Sequence, residues 1–511
     1  MAESKEKKAK GAFSGFLSYF YGNFVVLLLG FIQTPLVTRL MSTEEYGRTG
    51  MFETAVSCIY IFAIMGMDQA YIRYYYKKGI DRRKLLRQCI APALCIIGLL
   101  LLVYFVAAGR VNGFLFGVSG IDVSLLFAAY TLISVLERFL FLDVRMQQNG
   151  KLYSNINIAQ KVLNIIFIFV AFHFLHDDFR VVLYAMTLSW GSTTLFLLLR
   201  YFFMGKTKKG AEDEEAITSP EGDKDAARSD PQAAEGYPLK ELLLYGIPFI
   251  FVLLMEWLLS SCDRVALKLW ADYGELGIYS AAMKIMVLLL TFKNTFLAYW
   301  SPVAMERYES GGDDCKAFFR SAFDIVRFFC ILMALGMIFF RHIIVLLLGS
   351  SYRGADRVIP FLTLMPAFAM MFEITVQGIK FKKQNRYLNL ASIVAILCNI
   401  IGNSILVPSF KGIGAALATG LSYLAYFAMA SFSSEKVYPV GYDYSRTALD
   451  AVILIVVALL ASFYSNYLLV ALAAALSVFA VCAIEKKSLF LCLEYVKKVA
   501  VKSMSRGREC E

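Results

Sequence analysis

Charge is scarce in this chain. Only 18% of its 511 residues are Asp, Glu, Lys or Arg, while 59% are hydrophobic, a balance far from that of a soluble domain. The apolar runs are long and continuous, and they lack the two-residue alternation of polar and apolar side chains that marks an outer-membrane barrel. What remains is a set of helical spans of about 20 apolar residues, in which every backbone N–H and C=O finds its partner within the helix. Cysteine patterns are missing as well. The ten cysteines are scattered, most of them inside apolar runs (Cys58, Cys95, Cys262, Cys330, Cys398 and Cys482), and no CxxC or metal spacing occurs, so neither a disulfide scaffold nor a zinc site is expected.

Catalytic signatures are absent too. There is no Gly-x-Ser-x-Gly elbow and no His-Glu-x-x-His helix, and the longest expected outer loop, Arg341 to Arg357, is too short to hold an active site. Gly205-Lys206-Thr207 looks like the tail of a phosphate loop, but Arg200 stands where the first glycine belongs and no strand precedes it. His173 and His176 stand beside Asp177 and Asp178 with no other ligand nearby in sequence. The chain is therefore expected to be no enzyme and to hold no metal or cofactor.

Fourteen apolar runs lie between charged turns, which makes the expected fold all-α and polytopic. Six fall within 13–203, six within 241–432 and two within 433–484, preceded by a basic N-terminal segment, 1–12. The first run, from Phe13, is too long for a removable signal peptide and reads as an anchor. Segment 204–240 is acidic and Ala/Ser/Pro-rich, the composition of a flexible linker on the cytoplasmic side. Segment 485–511 is a basic tail in which Leu489, Phe490, Leu493, Val496 and Ala500 share a helical side. It reads either as a helix lying on the cytoplasmic surface or as a solubilising tail. The net charge of +11 is distributed in a telling way. Of the 51 Lys and Arg, 36 fall in segments on the side of the N-terminus, 10 on the other side and five within spans, which places both termini in the cytoplasm and explains the charge without nucleic acid.

Sequence echoes link the halves. Tyr46-Gly47 matches Leu276-Gly277 at an offset of 230, and Gln148-Asn149 with Asn164-Ile165 matches Gln384-Asn385 with Asn399-Ile400 at offsets of 235 to 236. These offsets imply one six-helix unit used twice in the same orientation, in a pseudo-twofold arrangement about an axis along the membrane normal.

Charges inside spans are costly, at about 2.5 to 3.5 kcal/mol each on insertion scales, so those present are candidates for function. Lys161 and Lys284 come out near the midplane, and Glu256 lies in the outer half of the seventh span with Asp263 seven positions on, on the same face. Lys293, Glu373, Glu137 with Arg138, and Asp324 with Arg327 fall in the cytoplasmic half. The 230 offset matches Lys284 to Thr54, beside Glu53, so Glu53 and Lys284 would lie across one cleft, either as a gate or ion site or as a plain salt bridge. Arg39, Arg48, Asp263 and Arg264 stand at outer helix ends, where reaching into solvent is the simpler reading. Asp324 and Arg327 are spaced to pair locally.

Three segments resemble one known family. Thr34-Pro35-Leu36-Val37-Thr38-Arg39-Leu40 running into Tyr46-Gly47 is the first, and Ser261-Cys262-Asp263-Arg264 followed by Leu276-Gly277-Ile278-Tyr279-Ser280-Ala281 is the second. Gly412-Ile413-Gly414-Ala415-Ala416 is the third. They are similar to the lipid-linked oligosaccharide flippases of the polysaccharide-export group, relatives of multidrug exporters in one superfamily, over essentially the whole chain. The resemblance implies two six-helix bundles facing each other across a V-shaped cavity that opens alternately to each side, with two further helices packed beside them. It implies a polyprenyl-diphosphate oligosaccharide as substrate, membrane lipids and a glycan polymerase as partners, and the bacterial plasma membrane as location. Basic partners for the diphosphate would be Arg39, Lys161, Arg264, Lys284 and Lys293, with Glu53, Glu256 and Asp263 as further binding or gating residues. A cation-coupled drug exporter on the same fold is the alternative kept alive by Glu53, Glu256 and Glu373, and a membrane polysaccharide polymerase is a remote one.

Overall fold

The computed structural model describes residues 2–77, 80–218, 237–311, 314–464 and 466–484. The middle of the expected linker, 219–236, and the expected amphipathic tail, 485–511, lie outside the described residues. The protein is all-helical, 89% helix, with no strand among the described residues. In chain order the helices are α1 Ala2–Leu40, α2 Thr43–Ile64, α3 Met67–Tyr74, α4 Arg82–Val106, α5 Ala108–Phe116, α6 Ile121–Met146, α7 Gly150–Leu175, α8 Arg180–Thr218 and α9 Leu239–Trp270. They continue with α10 Tyr273–Ser310, α11 Asp314–Phe339, α12 Arg341–Leu346, α13 Ala355–Leu362, α14 Leu364–Thr375, α15 Gln377–Phe381, α16 Arg386–Val437, α17 Tyr444–Phe463 and α18 Tyr467–Ile484. Several start where the sequence supplies a carboxylate for the unpaired first-turn amides. Asp81 accepts from Arg83 N at 2.8 Å, Asp272 from Glu275 N at 2.9 Å and Asp443 from Arg446 N at 3.1 Å.

Among the described residues eleven helices are long and apolar enough to cross a membrane, or twelve when α2 and α3, bent by 52°, count as one span. The difference from the fourteen expected runs has two physical sources. Straight, the 52 residues of α16 would reach about 78 Å, far more than a hydrocarbon core. The helix is broken at Lys411 (φ 47°, ψ −126°), and a Cβ added at Gly402 would stand 3.0 Å from that of Ala418, while one at Gly414 would stand 2.4 Å from Leu406 O. It therefore doubles back on itself, with Asn399 meeting Ser422 across the hairpin. The second source is α18, whose apolar part, Tyr467–Ala483, is short.

Contacts divide the chain into Met1–Gln33 with Arg48–Leu258 as unit 1 and Thr34–Gly47 with Leu259–Glu511 as unit 2. In unit 1 the buried core gathers Tyr71, Leu85, Cys89, Phe139 and Leu242. The bend between α2 and α3 falls at Met65 and Gly66, both at positive φ, and a Cβ on Gly66 would lie 2.3 Å from Gly246 O, so the backbones of the bend and α9 touch directly.

Unit 2 holds a closer contact. A Cβ on Gly47 would meet Tyr273 O at 1.9 Å, and one on Gly277 would meet Thr43 O at the same 1.9 Å. Thr43 stands to Tyr273 as Gly47 stands to Gly277, 230 residues apart, so the starts of α2 and α10 pack reciprocally, backbone on backbone. The echoed segments Tyr46-Gly47 and Leu276-Gly277 thus meet each other. Beside it, Thr38 Oγ1 accepts from Gly349 N (3.2 Å), and Tyr352 Oη donates to Ser42 O (2.9 Å) and Met41 O (3.1 Å).

Elsewhere in unit 2, Arg327 is wholly buried between Asp324 (3.6 Å) and Asp450 (3.4 Å), and its guanidinium also donates to Asp443 O at 3.3 Å. The local pairing of Asp324 with Arg327 is present, but Asp450 adds a second carboxylate that fastens α17 to α11.

The glycine contact predicts an outcome. Gly47→Ala and Gly277→Ala should each force the α2 and α10 starts apart and lower the thermal midpoint of the detergent-purified protein, whereas Ala at Gly98 or Gly109, where a Cβ meets nothing within 4 Å, should not. Equal midpoints for all four variants would show that the close approach is not needed.

Candidate functional site

The echoed asparagines hold matching positions in the two units. In unit 1, Gln33 Nε2 donates to Asn164 Oδ1 (2.7 Å) and Asn164 Nδ2 donates to Ser189 Oγ (3.2 Å). In unit 2, Asn399 Nδ2 donates to Asp263 Oδ1 (2.9 Å) and reaches Ser422 Oγ (3.5 Å). Gln33 and Asp263 are 230 residues apart, Asn164 and Asn399 are 235 apart, and Ser189 and Ser422 are 233 apart. One polar cluster is thus built twice, with an amide in the first copy where the second has a carboxylate.

Asp263 is 1% exposed, and the reading of it as a helix-end charge reaching solvent does not hold: helices α10 and α16 cover it. Its Oδ1 accepts from Asn399 (2.9 Å) and Asn403 (2.8 Å), and its Oδ2 from Tyr279 Oη (2.7 Å) and Thr419 Oγ1 (2.7 Å). All four partners are neutral. Hydrogen bonds to a charged group are worth about 1.5 to 3 kcal/mol each, and four of them offset much of the several kcal/mol that desolvating a carboxylate costs. Turning either asparagine amide by half a rotation exchanges an N–H donor for an oxygen, and Asn403 Oδ1 is already buried without a hydrogen-bond partner. The two asparagine amides line one side of the carboxylate and the Thr419 hydroxyl the other, with the Tyr279 hydroxyl beside Thr419. Among the described residues no three His, Cys, Asp or Glu side chains come together as a metal-binding group.

Other candidates fall as follows. Glu256, two turns before Asp263 and in register with it, belongs to unit 1 and is exposed, whereas Ser261 and Asp263 are buried. Lys161 lies against α1, where a Cβ on Gly30 would be 3.7 Å from its Cε. Glu53 is on α2 in unit 1 and Lys284 on α10 in unit 2, both half-buried. Arg39 is exposed and Arg264 half-buried. Arg48 donates to Phe116 O (3.0 Å). Glu137 is held by Gln160 and by Thr193 Oγ1 (3.0 Å), while its neighbour Arg138 turns to Asp68 (2.6 Å). Lys293 shares Glu373 with Lys380, each at 3.4 Å.

Sequence reasoning missed Tyr279, Asn403, Thr419 and Lys380. Asn403 follows Asn399 by one helical turn, the spacing that aims two amides at one point, and this was the available signal.

The profile of the polysaccharide biosynthesis protein family matches residues 12–306, more than half of the chain. The chain belongs to that family. Among solved structures, this polysaccharide biosynthesis protein is similar to the lipid II flippase MurJ in an inward closed conformation, at 15% identity and a TM-score of 0.62, covering 92% of this chain and 99% of the other. It is also similar to an inward-facing multidrug resistance MATE family transporter of the MOP superfamily, at 16% identity and a TM-score of 0.55, covering 81% and 95%. At these identities the likeness is one of fold. No curated protein matches the sequence.

Substitutions at Asp263 separate shape from charge. Asp263→Ala leaves four donors facing a void, at about 1 to 3 kcal/mol for each that stays unpaired, and should markedly lower the thermal midpoint. Asp263→Asn keeps the shape and should lose less. If Asp263→Ala melts with the native protein, the cluster holds nothing together.

Proposed function

We propose that this family member is a flippase that carries a polyprenyl-diphosphate-linked oligosaccharide from the cytoplasmic to the outer leaflet of a bacterial plasma membrane by alternating access, in surface polysaccharide biosynthesis. Family membership and a fold shared with a lipid II flippase support it. The observation that carries the reading is the distribution of cations within the spans. Arg138 and Arg327 pair with Asp68 and Asp450, Lys293 shares Glu373 with Lys380, and Lys161 and Lys284 add further positive charge to spans, where an ionised side chain is costly. An anionic diphosphate is the chemistry that such lysines serve. The protein would move its cargo without altering it, both termini in the cytoplasm, and hand it to a glycan polymerase outside.

A second reading has its own support. Asp263 with four neutral partners, and the fold shared with MATE transporters, fit a cation-coupled drug exporter. Proton release when a cationic dye is added to reconstituted vesicles would favour that reading.

Deleting the gene should make the lipid-linked intermediate accumulate on the cytoplasmic face. Unchanged amount and sidedness of such lipids would end the flippase reading. Within it, Lys284→Ala should impair transport in reconstituted vesicles more than Arg48→Ala. Lys284 sits 11 residues into α10, about 16 Å from its start and so near the midplane, where a lost charge is not replaced from water. Equal activity of the two variants would place the substrate path elsewhere.

A further inference from the structure

Lys293 on α10, Glu373 on α14 and Lys380 on α15 meet at one carboxylate. Lys293 Nζ lies 3.4 Å from Oε1, and Lys380 Nζ lies 3.4 Å from Oε2, so each carboxylate oxygen carries one ammonium. The cluster holds two positive charges against one negative. Both contacts are longer than the roughly 2.7 to 2.9 Å of a tight charge-assisted hydrogen bond, so neither ammonium is saturated by the acid. The layering is equally informative. The Glu373 side chain is 8% exposed, those of Lys293 and Lys380 22% and 34%, so an approaching anion meets the ammoniums before the carboxylate.

The depth of the cluster names its ligand. Lys293 is 20 residues into α10, about 30 Å from its start, and Glu373 is 18 residues into the Ala355–Phe381 span, about 27 Å from its start. For spans that begin at the outer boundary, both distances come close to the roughly 30 Å of a hydrocarbon core, which puts the cluster near its cytoplasmic edge, within reach of lipid phosphates. Lys382, Lys383 and Arg386 follow directly, so this is the basic, cytoplasmic end of the span.

We propose that Lys293 and Lys380 form a seat for the diphosphate of an isoprenoid lipid, and that Glu373 is a resident anion occupying the seat until that ligand displaces it. The proposal rests on the flippase reading and names the part of the substrate held at the cytoplasmic boundary. A built-in carboxylate sets a threshold. The phosphodiester of an ordinary phospholipid brings a single charge and one group, and it gains little by displacing an anion that is already tethered. A diphosphate brings more charge on two linked groups and can engage both ammoniums. Glu373 thereby confers selectivity in a membrane where phospholipids are in large excess.

The test is binding of farnesyl diphosphate to the full chain in nanodiscs, with and without phosphatidylglycerol in the bilayer. Lys293→Gln and Lys380→Gln should each weaken farnesyl diphosphate by about five- to tenfold, the loss of one charge-assisted contact. Lys293→Arg and Lys380→Arg should largely retain it. Glu373→Gln should do the opposite of the lysine changes, tightening farnesyl diphosphate several-fold while letting phosphatidylglycerol compete. Weaker binding in Glu373→Gln, or unchanged binding in both lysine variants, overturns the proposal. Equal competition by phosphatidylglycerol in the native protein also overturns it, in favour of a phospholipid site. If Glu373→Gln does not fold, Glu373→Asp, which draws the acid back from the ammoniums, should give the same direction of change. The flippase reading fails separately: diphosphate binding that obeys these rules in a protein that moves no lipid-linked glycan would leave the seat and remove the flippase. Transport indifferent to both lysines would do the reverse.

Discussion

Hydrocarbon supplies no partner for a peptide group or a charge, and the architecture of this protein follows from that constraint. It explains why the chain is helical throughout, why α16 turns back at Lys411 rather than running on, and why charges inside the spans are found in company. Arg327 shows it most directly. Fully buried, it gathers two carboxylates and a backbone carbonyl, and in doing so it ties α17 to α11. Arg138 and Asp68 do the same within unit 1 at 2.6 Å.

Against that background, a charge with weaker compensation stands out. Asp263 has four hydrogen-bond donors and no ammonium or guanidinium among them, and Lys293 and Lys380 together exceed the one acid that they share. The first is a buried carboxylate held by neutral donors, and the second sets two ammoniums against one acid. Both lie in unit 2. The matching place in unit 1 has Gln33, an amide that hydrogen-bonds Asn164, so the two clusters differ in charge.

Sequence alone revealed much of this fold and little of its sites. Apolar runs, capping carboxylates and the 230-residue echo are local or periodic features, and each reappears in the structure: the spans, the helix starts at Asp81 and Asp272, and the reciprocal packing of Gly47 with Gly277. The sites depend instead on which helices meet. Asp263 looked like a helix-end charge because its position along the chain says nothing of Tyr279, Asn399, Asn403 and Thr419, which reach it from α10 and both arms of α16. Glu256 and Asp263 shared a face by register, yet only the later one is covered. Lys380 stands seven positions after Glu373 and so on the same helical side, but nothing in the sequence shows that Lys293 reaches the same acid from α10.

The contact at Gly47 and Gly277 has one more consequence. Two helix starts that touch by the same residues in both directions make an isologous contact, the kind by which identical subunits pair about a two-fold axis. The contact is made at corresponding positions, Thr43 and Gly47 on one side and Tyr273 and Gly277 on the other. Neither glycine can take a side chain without displacing the other's helix, so the two positions are constrained as a pair rather than singly.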